Sequence, residues 1–101
     1  MSQKMRRAVC AQVITLLREE RQKRKISKYA VAQRAGVSQQ MIGYVERGLR
    51  QPSLEIVLRI ADGLGLDLAD VITRAQRIVS ERHRKEALSE PSKPRTLKPR
   101  L

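Results

Sequence analysis

Apolar residues recur at helical spacing along most of the chain, and serine, glycine and proline punctuate the runs. From Lys4 to Lys23, residues Met5, Val9, Val13, Leu16 and Leu17 share one helical face, with no glycine or proline between them. The run closes on Arg21, Lys23 and Arg24, cations suited to the negative end of a helix dipole. Ser27 then stands where an N-cap belongs, ahead of KYAVAQRA, whose inward face is Ala30, Val31 and Ala35 with Ala32 at its edge. Gly36 stops that helix. Ser38 caps the next, Gln39 to about Arg47, anchored by Val37, Ile42 and Val45 and closed by Gly48. The loop Leu49-Arg50-Gln51-Pro52 leads to a further cap, Ser53, and a helix to Leu64 with Leu54, Val57, Leu58, Ala61 and Leu64 on one face. Gly65 ends it. Asp67 caps a fifth helix carrying the stripe Leu68, Val71, Ile72 and Ala75, which continues through Ile78 and Val79 to about Arg84. No stretch alternates with the period of a strand, and the pattern predicts an all-α, five-helix fold.

After Leu88 the pattern stops. The sequence SEPSKPRTLKPRL holds three prolines, Pro91, Pro94 and Pro99, among lysines and arginines, which predicts a basic, disordered tail over 89–101. The expected organisation is a basic first part of helix 1 over 1–15 and a folded domain over 16–73. An extension of helix 5 over 74–88 and the tail complete it. With 101 residues, no Phe and no Trp, the chain builds one modest aliphatic core.

Charge adds a second layer. The net charge is +12, concentrated at the two ends, while residues 27–73 are neutral. Such ends attract polyanions, nucleic acid above all, or simply solvate the domain. Cys10 is the one cysteine, so no internal disulfide or zinc cluster is expected, in keeping with a reducing, cytoplasmic compartment. No membrane span or signal peptide is read from the hydropathy. His83, the one histidine, lies in the run RHRK, where no nucleophile and acid can be argued around it. No enzyme, metal or cofactor is expected.

The two short helices meeting at Gly36-Val37 carry the distinguishing chemistry. A tight αα corner needs a small residue at the crossing, supplied by Ala32, and a turn free of the Cβ penalty, supplied by Gly36. Ile42 and Val45 anchor the second helix. The pieces LREERQKRKIS, KYAVAQRAGVSQQMIGYVERG and PSLEIVLRIADGLGLDLADVI follow in order and without a gap. On these pieces the stretch 16–72 resembles the helix-turn-helix family of phage Cro proteins and repressors, also called the XRE family.

The resemblance implies that the helix from Ser38 to Arg47 lies in the major groove of double-stranded DNA. It implies that Gln39 and Gln40 read bases, that Tyr44 follows one turn on, and that Lys28 stands where relatives contact phosphate. It also implies that Arg21 and Glu46 join the first helix to the end of the third. Three departures stand out: Gly43 where serine is common, Glu20 where an apolar residue is frequent, and Lys25 in place of a frequent glycine before Ile26. The chemistry agrees with base reading, because a glutamine amide matches the N7 acceptor and N6 donor of adenine. Gly43 either admits close approach of DNA or accommodates packing, and Tyr44 touches a base or packs on Arg47 or Arg50. Ser38, Arg47 and Arg50 join Lys28 as candidate phosphate contacts, which position the protein without reading sequence.

The expected function is a transcriptional repressor or autoregulator acting as a homodimer, with helix 5 (Val71, Ile78, Val79) as the dimer element. Two alternatives belong beside it: an antitoxin-type module with a small protein partner, and a non-specific RNA or DNA binder using its basic ends.

Overall fold

Serine hydroxyls start the first four helices of the computed structural model, which describes residues 1–89. Ser2, Ser27, Ser38 and Ser53 each accept a hydrogen bond from the backbone N–H three residues on, at 3.0, 3.0, 3.0 and 3.2 Å. They open α1 (Gln3–Lys23), α2 (Lys28–Ala35), α3 (Gln39–Glu46) and α4 (Leu54–Leu64). Asp67 opens α5 (Leu68–Ser89) by accepting from the N–H two residues on, that of Ala69, at 3.0 Å. The structure is all-α, with no strand among the described residues. Helix α5 runs five residues beyond the expected Arg84. The tail predicted over 89–101 lies outside the described residues except for Ser89, the last residue of α5.

The core is aliphatic. Val31, Ile42 and Ala75 are at most 1% exposed, and Leu16, Leu17, Val45, Ala61 and Leu64 surround them. Helix α2 packs on α3 and α4, and α1 lies along α5. Ala32 sits at the heart of this packing at 3% exposure, not at the helix edge, because α3 and α4 approach α2 from two sides. The inward face of α4 also differs from the expected one. Ile60, Ala61 and Leu64 point inward, and Val57 is half-buried. Leu54 and Leu58 are 66% and 44% exposed. The reason is the rotation fixed by the α2–α4 contact. Gly63 faces α2 so closely that an added Cβ would stand 3.2 Å from the Arg34 Cβ.

Helix α5 joins the same core. Val71 and Val79 are 2% and 4% exposed, buried in the same core as α1, and Ile78 packs partly against it. The stripe assigned to dimer formation is therefore used within one chain.

Arginines tie the helix ends together. Arg24 donates to the Leu64 carbonyl at 2.6 Å, Arg34 to the Gly63 carbonyl at 3.1 Å, and Arg59 to the Ala35 carbonyl at 3.3 Å. Each answers a carbonyl that the end of a helix leaves without an intrahelical partner. Glu20, at its apolar-favouring position, pairs with Arg24 at 3.2 Å and reaches Arg74 of α5 at 3.9 Å. Lys25 takes φ 56°, the left-handed conformation that the more usual glycine adopts freely.

Candidate nucleic-acid interface

Helix α3 is held from behind. Ile42 and Val45 are 1% and 2% exposed, so the opposite face of the helix is left to solvent. Its end is fixed by a paired contact. Arg21 Nε donates to Glu46 Oε2 at 2.7 Å and Nη2 to Oε1 at 3.0 Å, while Nη1 donates to the Ile26 carbonyl at 3.0 Å. Both side chains are little exposed, at 12% and 11%. This is the clamp between α1 and α3 that the resemblance implies, with a third bond to the α1–α2 turn that the sequence does not suggest.

On the open side, Lys28, Gln39, Gln40, Gly43, Tyr44 and Arg47 line one shallow hollow. Six of the eight candidate DNA-contacting residues thus converge. The other two do not. The Ser38 hydroxyl is engaged as the α3 cap, and Arg50, in the α3–α4 loop, lines a different groove that it shares with Arg47. Within the hollow, Gln40 Nε2 donates to the Tyr44 hydroxyl at 2.7 Å, and the Arg47 guanidinium lies 5.7 Å from the centre of the Tyr44 ring. Tyr44 therefore packs on Arg47 in the free protein. An alanine methyl at Gly43 would meet nothing within 4 Å, so internal packing does not require glycine there.

Comparison with known proteins follows this geometry. The family model described as "Helix-turn-helix" matches residues 17–71, more than half of the chain. The chain belongs to the helix-turn-helix family. The match begins inside α1, at Leu17, and ends inside α5, at Val71, so it takes in the corner formed by α2 and α3. Two curated relatives are uncharacterised HTH-type transcriptional regulators from two strains of Mycobacterium tuberculosis. Each is 34% identical over 61 residues, covering 60% of this chain and 44% of the relative. The match thus spans less than half the length of these relatives. No solved structure matches the chain.

Some further surface residues escape a sequence reading. Tyr29 is 57% exposed on α2 and accepts a hydrogen bond from Gln33 at 2.9 Å, repeating the Gln–Tyr pairing of α3. The spacing of four between Tyr29 and Gln33 is the signal that was available. Arg7, two helices away in sequence, shares a groove with Arg47 and Arg50, which only the fold reveals. Among the described residues no helix is long and apolar enough to cross a membrane.

Proposed function

We propose that this helix-turn-helix chain is a sequence-specific, double-stranded-DNA-binding transcriptional regulator of repressor or autoregulator type. In this reading α3 enters the major groove. Gln39, Gln40, Gly43 and Tyr44 face the bases, and Lys28, Ser38, Arg47 and Arg50 meet phosphates. The observation that carries it is the convergence of Lys28, the two glutamines, Gly43, Tyr44 and Arg47 on one exposed hollow, over a helix whose back is fully anchored. Glutamine amides supply paired donors and acceptors for base edges, and the arginine and lysine supply charge for the backbone. One such corner contacts few base pairs, so two copies acting on two-fold-related half-sites are part of the proposal. The cytoplasm is the compartment in which it would act.

The test is selection of bound sequences from random duplex DNA. An enriched motif is expected. Gln39→Ala and Gln40→Ala are each expected to relax a different position of it by about 1–3 kcal/mol, and Lys28→Ala to weaken all sites alike. Wild-type protein that enriches no motif would refute the reading.

A further inference from the structure

The α3–α4 loop and helices α1, α4 and α5 border a groove of about 880 Å³, within the range of roughly 300–1,000 Å³ that small-ligand sites occupy. Its residues on α1 run from Arg7 to Thr15, a length of about 12 Å at the rise of an α-helix, so the groove is long. Val13 and Ile14 of α1, Leu54 and Val57 of α4 and Ile72 of α5 give it aliphatic walls. Among the described residues no aromatic ring lines it, so nothing there stacks a planar ligand. DNA does not account for this surface, because phosphates and base edges gain little from aliphatic side chains.

Cations stand on the same groove. Arg7, Arg47 and Arg50 line it, and the described ion pairs use other arginines. Glu46 is the one acid among the lining residues, and Arg21 already holds it. Aliphatic walls and arginines together complement an anionic amphiphile. A hydrocarbon chain gains with each methylene that leaves water, and a carboxylate matches the fork of donors on a guanidinium. A second copy of this chain brings the same cations and is opposed. Arg47 also lines the hollow over α3, where it lies 5.7 Å from the centre of the Tyr44 ring. A carboxylate in the groove and a phosphate at the hollow thus draw on one side chain.

We propose that this groove binds a free straight-chain carboxylate, its hydrocarbon chain lying along α1 and its head on the rim arginines, and that the bound acid opposes DNA by engaging Arg47 and Arg50. The site rests on the groove alone, whereas the opposition to DNA rests on the proposed function. Linkage is reciprocal, so DNA lowers affinity for the acid by the factor with which the acid lowers affinity for DNA.

Isothermal titration of the full chain with dodecanoate, kept below its micelle threshold and without DNA, tests the site. Saturable uptake of one molecule per chain is expected. Decanoate, with a shorter chain, is expected to bind roughly tenfold more weakly, and dodecanol, with the same chain and no charge, weaker by about tenfold or more. Arg7→Gln, outside the residues proposed to meet DNA, is expected to weaken dodecanoate by about tenfold and to leave dodecanol unchanged. Alkylating Cys10, exposed on the groove, with a bulky maleimide is expected to block both. Thermal melts are expected to show dodecanoate raising Tm, as a ligand of the folded state does. Absence of saturable uptake, as when a partner protein or a second copy covers the groove, overturns the proposal. So does dodecanol that binds as tightly as dodecanoate, uptake that survives both Arg7→Gln and alkylation, or a fall in Tm, which marks detergent action. In a second arm, saturating dodecanoate is expected to weaken binding of wild type to duplex DNA by about tenfold or more, and unchanged DNA affinity overturns the opposition. Because the first arm contains no DNA, it decides the groove even if site selection refutes base reading by α3.

Discussion

Replacing Glu46 with alanine removes the carboxylate that locks the end of α3 to α1. Arg21 then keeps only its bond to the Ile26 carbonyl, and two of its N–H groups lose their partner in a place where little water reaches. Exposed ion pairs contribute about 0–1 kcal/mol, whereas removing one partner of a buried pair costs about 3–5 kcal/mol. At 12% and 11% exposure this pair sits near the buried end. The remaining bond to Ile26 and partial access of water lower the figure to about 2–3 kcal/mol. For a domain of this size that corresponds to a fall in Tm of roughly 10–20 °C. Circular dichroism melts and urea titrations read it directly. A double substitution, Arg21→Ala with Glu46→Ala, is expected to lose little more than Glu46→Ala alone, because the second change removes a charge already stranded. Base preference, measured well below the melting range, is expected to stay as in wild type. A loss under about 1 kcal/mol, or a changed base preference with unchanged stability, would refute the assignment of Glu46 to the scaffold.

Three glycine-related substitutions probe the backbone. Gly43→Ala is expected to raise stability by up to about 1 kcal/mol, since the added methyl meets open space, and to weaken binding to the selected site. Unchanged affinity would show that DNA does not come close to residue 43. Lys25→Gly relieves a left-handed conformation at φ 56° but frees the unfolded chain, for a net gain of about 0.5 kcal/mol in urea titration. A lower midpoint would contradict it. Gly63→Ala forces a methyl to within 3.2 Å of the Arg34 Cβ and 3.4 Å of the Val31 carbonyl, and a loss of about 1–3 kcal/mol is expected. A melt identical to wild type would disprove the tight α2–α4 crossing.

The caps and stops were legible because their chemistry is local. A serine before an apolar-periodic run marks a helix start whatever the run later packs against, and Ser27, Ser38 and Ser53 all act so. The rotation of α4 was not legible. Leu54 and Leu58 satisfy the helical period as well as Ile60 does, and only the close approach at Gly63 decides between them. The burial of the α5 valines was not legible for a related reason. Counting core residues does not reveal that α1 is long enough to need a partner along its whole length. Charge was misleading in part. Arg21, Arg24, Arg34 and Arg59 contribute to a strongly basic composition, yet each satisfies a carboxylate or a helix-end carbonyl inside the fold. Convergence of Lys28 with the α3 residues followed from the resemblance. The approach of Arg7 to Arg47 depends on how α1 crosses the α3–α4 loop, which no local pattern encodes.

The bond from Gln40 to Tyr44, and the stacking of Arg47 on that ring, make two exposed side chains and one half-buried ring into one mechanical unit. Its members cannot drift independently over evolutionary time. A change at Tyr44 alters the rotamers open to Gln40 and the lean of Arg47, so in the proposed readout preferences at neighbouring base pairs would shift together. New specificities should therefore arise in this lineage by correlated replacement of Gln40 and Tyr44. Gln39, whose amide has no described partner in the hollow, is the position free to vary alone.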